Sequence, residues 1–254
     1  MRRHAAIIAL ALPVIFSCSR NAGQTLTVAT YNVGAFSKYQ ENSTADVASL
    51  ILESGATLAA LNELDSCNRR HNVYQLEELA KALGGWDFHF ASAFPFAEGA
   101  YGNGVVSREP ITARYNIALP RFDGSEPRSC AVIETNECVF ASVHLDYRGV
   151  SASLEQARVL NDWFCRHYSG CAKPVLLCGD MNSTPESATI AELLQYWTPL
   201  SGTEATYPSS QPALCIDYIM ALKSAAQVKV CSAKVCTAAG DASDHLPVLV
   251  ELKY

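Results

Sequence analysis

Short apolar runs alternate with amphipathic stretches along this chain, and the same order occurs twice. The apolar runs that predict strands span residues 26–33, 57–64, 139–147 and 174–182. Helix-period patterns at residues 44–55 and 154–167 lie between the members of each pair. The pattern therefore predicts two copies of a β-α-β element within an α/β protein.

Polar side chains close the predicted strands at matching places in the two copies. Asn32 and His144 end the first strands, and Glu63 and Asp180 end the second. Carboxylates at the ends of apolar strands cost desolvation free energy unless a metal ion or a donor receives them. Independent surface polarity explains any one of these residues more simply, but it does not explain four together. Two facing copies would bring all four to one rim.

The turn at residues 179–182 carries a carboxylate and an amide directly after a buried strand. Asp180 and Asn182 lie in this turn, and Thr184-Pro185 predicts the capped start of the next helix. The crevice beyond the carboxyl ends of strands is where open α/β sheets bind ligands. The alternative is ordinary turn chemistry, which also favours Gly and Asp.

Near the C-terminus, residues 215–221 form a strand pattern that Asp217 interrupts, and residues 243–252 begin another strand. A carboxylate inside an apolar run needs a partner, and His245 is the candidate, because a carboxylate on one ring nitrogen fixes the tautomer and raises the pKa. Asp244 offers a further oxygen to a metal ion. A satisfied hydrogen bond in the core is the alternative for Asp217.

The 254 residues are 49% hydrophobic and 17% charged, which is enough apolar material for one large domain, assigned to residues 23–254. Residues 1–22 differ from the rest. Two arginines, a short apolar run and Cys18 resemble a bacterial lipoprotein signal cleaved before Cys18, which would become the lipidated residue. An ordinary secretory signal cut near residue 22 is the alternative. Both predict export, and the first predicts a protein anchored by lipid in the cell envelope of a bacterium.

Removal of residues 1–17 would leave 17 of the 19 Lys and Arg against 25 Asp and Glu. This balance gives no basic footprint for nucleic acid, although a bound metal ion would offset some carboxylates. Ten cysteines favour an oxidising compartment. The predicted disulfides are Cys130–Cys138, Cys165–Cys171 and Cys231–Cys236, and Cys178 is predicted to be a buried thiol. Because the chain has no CxxC pair, a structural zinc site is not expected.

Short motifs in a fixed order carry a resemblance to a known superfamily. They lie at residues 30–32, 61–64, 101–111, 126–128, 142–147, 179–185, 216–219 and 243–248. The ordered set resembles the endonuclease/exonuclease/phosphatase superfamily, which includes pancreatic-type deoxyribonuclease, abasic-site endonucleases, bacterial sphingomyelinases and inositol-polyphosphate 5-phosphatases. The resemblance implies a four-layered α/β/β/α sandwich, with two packed mixed sheets flanked by helices. Asn62 departs from the glutamine that usually precedes the metal-binding glutamate.

The resemblance also implies a site that binds Mg²⁺, or Mn²⁺ as second choice. Glu63 would be the principal metal ligand and Asn32 would assist it. Asp244 would hold the same metal ion or a second one. Hard divalent cations with oxygen ligands suit attack on a phosphorus ester.

Catalytic roles follow from the same resemblance. Asp180 would orient or deprotonate the attacking water, and Asn182 would contact the phosphate. His245, held by Asp217, would donate a hydrogen bond to a phosphoryl oxygen. His144 would stabilise or protonate the leaving group.

Two further residues are candidates for phosphate binding. Arg128 could bind a phosphate oxygen through its planar guanidinium, with a surface salt bridge as the alternative. Asn103 lies in a predicted glycine-flanked turn, and the alternative to phosphate binding is that asparagine is there only to suit the turn geometry.

The expectation is an exported, monomeric, metal-dependent phosphoesterase, with phosphodiesterase or nuclease activity preferred. Phosphomonoesterase, phospholipid head-group phosphodiesterase and a noncatalytic binding protein on the same fold are the alternatives.

Overall fold

Two six-stranded sheets and four α-helices make up the part of the chain that the computed structural model describes, residues 23–122 and 124–254. The strands are β1 Thr25–Asn32, β2 Leu58–Ser66, β3 Asp87–Phe96, β4 Gly99–Ser107, β5 Ala113–Ala118, β6 Ser129–Glu134, β7 Val139–His144, β8 Val175–Asp180, β9 Trp197–Pro199, β10 Asp217–Leu222, β11 Lys229–Val235 and β12 Val248–Lys253. The helices are α1 Thr44–Ser54, α2 Gln75–Ala82, α3 Val150–Tyr168 and α4 Ala188–Tyr196. The leader predicted at residues 1–22, with Cys18, lies outside the described residues.

Each sheet contains one parallel pair at its centre. The first sheet has the order β11-β12-β1-β2-β4-β3, and the second has the order β5-β6-β7-β8-β10-β9. Strands β1 and β2 run parallel with α1 between them in sequence, and β7 and β8 run parallel with α3 between them. The duplicated β-α-β element is therefore confirmed, and all other pairings are antiparallel.

Three apolar clusters separate the layers. One packs α1 and α2 on the first sheet, with Tyr31, Ile51 and Leu79 fully buried. One packs α3 and α4 on the second sheet, and the third fills the space between the two sheets, where Val28 and Phe140 are completely buried. Strands buried on both faces read as continuous apolar runs, which is why their sequences were recognisable. The four-layered α/β/β/α sandwich is confirmed.

Helix α4 does not begin at Thr184-Pro185, where the sequence predicted its start. The helix begins at Ala188, and the Ser187 hydroxyl caps it by accepting a hydrogen bond from Ile190 N at 3.2 Å. Thr184 instead belongs to a turn, because its carbonyl accepts the Ser187 N–H. A later serine thus supplies the capping oxygen.

The predicted disulfides are wrong, because all nine cysteines in the described residues are free thiols. Cys130 pairs with Val143 across β6 and β7, so Cys138 lies five residues further along the ladder. Cys231 and Cys236 are separated by extended strand, which places their Cα atoms about 15 Å apart, beyond disulfide reach. Cys165 and Cys171 are likewise unbonded. Cys178 is a buried thiol as predicted, and burial raises its pKa.

Within residues 23–122 and 124–254, no helix has the combination of length and apolar character needed to span a bilayer.

Candidate active site

A cavity of about 530 Å³ lies where the ends of the two parallel strand pairs meet. Its size is in the range of small-molecule sites. The predicted site residues that line it are Glu63, Arg128, His144, Asp180, Asn182, Asp244 and His245. Asn32 and Asp217 lie directly behind this wall, hydrogen-bonded to lining residues. The structure thus brings together nine of the ten residues that the sequence proposed for this site.

Glu63 reaches the cavity because β2 contains a bulge. Between Leu61 and Leu64 the strand has one more residue than the partner β4, and Glu63 has a φ of 59°. A bulge re-aims a side chain relative to the regular alternation of a strand. The half-buried Glu63 carboxylate therefore faces the cavity, where Asn32 Nδ2 lies 3.2 Å from its Oε1.

Asp180 is almost completely buried, with 1% of its surface exposed. Its Oδ2 lies 3.1 Å from Asn32 Nδ2, 3.4 Å from His144 Nε2 and 3.7 Å from His245 Nε2. Its Oδ1 accepts the Asn182 N–H at 2.8 Å. Burial, followed by the charge of Asp217, raises the pKa of Asp180 to about 7.

Glycine before this acid allows the two strands to approach. A Cβ on Gly179, whose φ is 141°, would lie 1.8 Å from the carbonyl oxygen of Val143. Only glycine fits between β7 and β8 at this point. The close approach places His144 and Asp180 opposite each other in the ladder.

Asp217 and His245 form the predicted pair. His245 Nδ1 lies 2.9 Å from Asp217 Oδ2, and the same oxygen accepts the Thr206 hydroxyl at 2.6 Å. Burial alone would lower the pKa of His245, but the charge and hydrogen bond of Asp217 outweigh it and raise this pKa to about 9. The ring of Tyr207 packs 4.8 Å from the imidazole. His245 is therefore a positively charged donor at neutral pH, with Nε2 turned to Asp180.

His144 has the opposite character. Burial, then the nearby charges of Arg128, His245 and Lys38, hold its pKa well below the usual value. Its Nδ1 lies 3.2 Å from Arg128 Nη1, which can only donate, so Nδ1 accepts and Nε2 carries the proton. His144 is thus a neutral hydrogen-bond donor.

Arg128 does form the salt bridge considered for it, but from a buried position, since only 4% of the residue is exposed. Its Nη2 pairs with Glu126 Oε2 at 3.2 Å, and its buried Nε has no hydrogen-bond partner among the described residues. A buried donor without a partner is costly. A bound anion would satisfy it.

Asn103 does not line the cavity. Its Nδ2 donates to the carbonyl of Ser129 at 2.8 Å, and its Oδ1 accepts from Asn62 Nδ2 at 3.1 Å. Both ends of the amide are therefore engaged between the sheets. Asn103 lies within β4 and not in the predicted turn, and it supports the site from there instead of making the expected phosphate contact.

Asn62, which sequence reasoning left without a role, connects the two sheets. Its Nδ2 also lies 3.2 Å from Ser142 Oγ and 3.0 Å from the Val143 carbonyl, and its Oδ1 accepts the Asp180 N–H at 3.0 Å. The amide of one β-α-β element thus fixes the backbone of the catalytic candidate in the other. The sequence signal that could have identified Asn62 as a site residue is its position directly before Glu63.

Lys38 and three tyrosines were also missed. Lys38 Nζ lies 3.0 Å from Asp244 Oδ2, at the cavity wall. Tyr101, Tyr147 and Tyr207 line the cavity too. Lys38 and Tyr207 lie in segments that carry none of the motifs, so no local pattern marked them. Tyr101 and Tyr147 lie within the motifs at residues 101–111 and 142–147, which were the available signal for these two.

The group of Asp180, Asp217 and His245 could hold a metal ion, because each offers a ligand atom and these atoms lie within 4.8 Å of one another. His245 would bind a metal ion only as a neutral imidazole; when it is charged, the site combines its carboxylates with a cationic imidazole, a neutral imidazole and a guanidinium. Such an arrangement can bind a cation and an anion side by side.

Comparison with known proteins agrees with this chemistry. The sequence profile of the endonuclease/exonuclease/phosphatase family matches residues 29–245, so the chain belongs to this family, whose members are generally divalent-metal-dependent phosphoesterases. The chain is also similar to the uncharacterized protein YbhP of Escherichia coli K12, with 30% identity over 183 residues that cover 65% of this chain and 68% of the relative.

Solved structures share the fold. A mannosyl-6-phosphatase from Bacteroides thetaiotaomicron superposes with a TM-score of 0.74 and 18% identity over 90% of this chain and 100% of that one. The human nocturnin catalytic domain, solved with a bound sulfate anion, gives a TM-score of 0.69 and 18% identity over 90% and 93% of the two chains. At these identities the likeness concerns the fold alone.

Proposed function

We propose that this protein is a divalent-metal-dependent hydrolase of phosphoester bonds, with phosphodiesters as the preferred substrates. One observation carries the proposal: the buried Asp180 carboxylate is surrounded by Asn32, His144 and His245 at the wall of a single cavity. An acid with a pKa of about 7 and a cationic imidazole with a pKa of about 9 are suited to proton transfer and to charge stabilisation near neutral pH.

The residues present fit a hard divalent cation. Glu63 extends an oxygen-donor carboxylate into the cavity, and the Asn32 amide that holds it turns its NH₂ group inward. We therefore assign Glu63 as the principal ligand and Asn32 as the residue that orients it. Asp217 Oδ2 is shared by His245 and Thr206, and Asp217 does not line the cavity, which makes it a poorer ligand than Glu63. A bound Mg²⁺ or Mn²⁺ would supply Lewis-acid stabilisation of the charge that develops on phosphoryl oxygens.

The side chains around Asp180 divide the remaining work. Ionised Asp180 orients the attacking water and accepts its proton. His245, kept charged by Asp217, donates to a nonbridging oxygen. His144 Nε2–H stabilises the leaving group as a hydrogen-bond donor, because the lowered pKa keeps the ring neutral and a neutral imidazole does not readily release its proton.

Phosphate recognition falls to two further residues. Arg128 lines the cavity, and its buried Nε, which has no partner among the described residues, would gain one if a phosphate oxygen entered beside it. Asn182 spends its backbone N–H on Asp180 and its Nδ2 on the Leu145 carbonyl, which leaves its Oδ1 at the cavity. Asn182 therefore fixes the turn, and because its free amide oxygen can only accept, it contacts phosphate through a bound water that donates to both.

A substrate panel tests the proposal. Plasmid DNA, RNA, sphingomyelin, phosphoinositides and nitrophenyl mono- and diesters would each be assayed with Mg²⁺, with Mn²⁺ and after chelation. We expect turnover of at least one phosphoester, strongest for a diester, abolished by EDTA and restored by metal. Preference for a monoester would move the assignment to phosphatase. Full activity after exhaustive chelation, or none on any ester, would contradict the proposal.

We also propose that residues 1–22 direct export and that Cys18 is lipidated, which would hold a monomeric enzyme at the cell envelope. The basic, apolar and cysteine-containing sequence supports this. Metabolic labelling with a radioactive fatty acid should mark the wild-type protein and not Cys18→Ala. Equal labelling of both, or of neither, would argue against lipidation.

A further inference from the structure

The segment after β1 has an unusual backbone. Gly34, Ala35 and Phe36 have φ values of 53°, 54° and 54°, a left-handed conformation that residues with a Cβ adopt rarely. Such conformations persist where the surroundings enforce them, and they cluster at functional sites. Here Gln75 Nε2 donates to the Ala35 carbonyl at 2.7 Å, and the Ser43 N–H donates to the Phe36 carbonyl at 2.8 Å.

The left-handed turn delivers Lys38 to the cavity. The Lys38 stem crosses Gly34 so closely that a Cβ on Gly34 would lie 3.2 Å from both Cβ and Cδ of the lysine. The ammonium group then lines the cavity, 3.0 Å from Asp244 Oδ2, with 41% of the side chain exposed. Glycine at position 34 therefore has two roles: it adopts the positive φ without strain, and its lack of a Cβ leaves room for the Lys38 side chain.

The Lys38 charge is directed at the reacting region. Its positive field reaches Glu63 on one side of the cavity, and it adds to burial and to Arg128 and His245 in lowering the pKa of His144 on the other. An ammonium carries three donors, and Asp244 is its one ion-pair partner among the described residues. Arg128 is already paired with Glu126, so Lys38 is the cation of the cavity with the most donor capacity to spare.

We propose that Lys38 is a substrate-binding residue that donates to a phosphoryl oxygen and, by pairing with Asp244, takes the position where a second divalent cation would bind. This rests on the proposed phosphoesterase function and deepens it. The site then uses one divalent ion, held by Glu63, and one fixed ammonium. Asp244 orients the lysine and is not itself a metal ligand.

Inorganic phosphate is the probe, titrated calorimetrically into the full protein with Mg²⁺ present. Lys38→Met keeps the packed stem and removes the charge, Lys38→Arg keeps the charge, and Lys81→Met removes a lysine that pairs only with Glu77 and Glu78 on the surface of α2. We expect Lys38→Met to weaken phosphate binding by about tenfold or more, Lys38→Arg by about threefold, and Lys81→Met not at all. Thermal unfolding checks that each variant is folded.

Asp244→Asn provides a test of opposite sign. If Asp244 only pairs with Lys38, its neutralisation leaves the ammonium uncompensated and phosphate binds more tightly. If Asp244 holds a metal ion, phosphate binds more weakly and Mn²⁺ stoichiometry falls, which would overturn the assignment. Mn²⁺ stoichiometry of one in the wild type supports the proposal, whereas two contradicts it.

The outcomes separate this proposal from the function itself. Phosphate binding that depends on Lys38 in a protein that hydrolyses no ester would leave the lysine assignment standing and refute the hydrolase. If the protein hydrolyses esters but Lys38→Met binds phosphate within about twofold of wild type, the hydrolase function would stand and the lysine assignment would be refuted. Wild-type protein that binds no phosphate would also overturn the lysine assignment.

Discussion

The two β-α-β elements have the same topology but end in different environments. The first, β1-α1-β2, presents Glu63 from a bulge, half-buried and facing the cavity. The second, β7-α3-β8, ends in Asp180, which is 1% exposed and closely surrounded by donors. A half-exposed carboxylate with few donors suits a cation, whereas an enclosed carboxylate with a raised pKa suits proton transfer. The proposed function therefore assigns two different chemical tasks to one duplicated scaffold.

Asn32 and Asn62 join these environments. Asn32 Nδ2 lies within 3.2 Å of both Glu63 and Asp180. Asn62, on β2 of the first sheet, accepts a hydrogen bond from the Asp180 backbone N–H in the second sheet. The division of labour therefore depends on amides of the first element that position the second.

The largest expected effect is on the second element. Asp180→Ala and His245→Ala should each lower turnover of a generic phosphodiester by at least ~100-fold, since each removes a proton-transfer or charge-stabilising group. Asp162→Ala, an exposed change on α3, is the control and should leave turnover intact. Near-normal turnover in either variant, with the fold intact by circular dichroism, would remove that residue from the mechanism.

The amide that joins the elements should matter for stability. Asn62→Ala leaves the Asp180 N–H and the Asn103 Oδ1 without their partner, which should lower the free energy of unfolding by about 2–4 kcal/mol. Ser142→Ala, which removes one hydroxyl bonded to Asn62 and to the Leu61 carbonyl, should cost about 1 kcal/mol. Urea unfolding measures both. Equal small losses would show that Asn62 does not hold the elements together.

The pH profile should expose the contrast between Asp180 and His245. Ionised Asp180 requires a pH above about 7, and protonated His245 requires a pH below about 9, so kcat/KM should rise through the first value and fall through the second. A bound divalent ion should move the rising limb to lower pH, because an opposite charge favours the carboxylate. A flat profile from pH 6 to 10 would contradict these roles.

The smallest effect concerns coupling within the Asp217–His245 pair. If Asp217 acts through His245, removing both should cost little more than removing one. The kcat/KM of the double variant Asp217→Ala/His245→Ala should then lie within about threefold of that of the poorer single variant. Losses that multiply would mean that Asp217 acts independently, for example on a metal ion.

Much of this fold follows from local sequence. Fully buried strands and amphipathic helices marked both β-α-β elements, and topology then required the carboxyl ends of β1, β2, β7 and β8 to meet. The Asp217–His245 pair was accessible because a carboxylate inside an apolar strand needs a partner. The resemblance to the superfamily added the prediction that the two sheets and their helices form four layers.

Other features depend on contacts that sequence spacing does not encode. The bulge that turns Glu63 inward, the left-handed turn that brings in Lys38 and the burial of both ends of the Asn103 amide arise from tertiary packing. The predicted Cys231–Cys236 disulfide failed because five residues of extended strand separate the two thiols, and Cys130–Cys138 failed because the two residues are offset along the β6–β7 hairpin. The position of α4 failed because Thr184, Ser187 and Pro185 each offered a plausible start.

Metal affinity compared across the two elements tests the division of labour most directly. Mn²⁺ binding, followed by electron paramagnetic resonance, would be measured for Glu63→Gln and Asp180→Asn alongside turnover. The account predicts that Glu63→Gln weakens Mn²⁺ binding by at least about tenfold, while Asp180→Asn loses turnover by ~100-fold with Mn²⁺ affinity changed by less than about threefold. Equal loss of Mn²⁺ by both variants, or unchanged binding in Glu63→Gln, would contradict it.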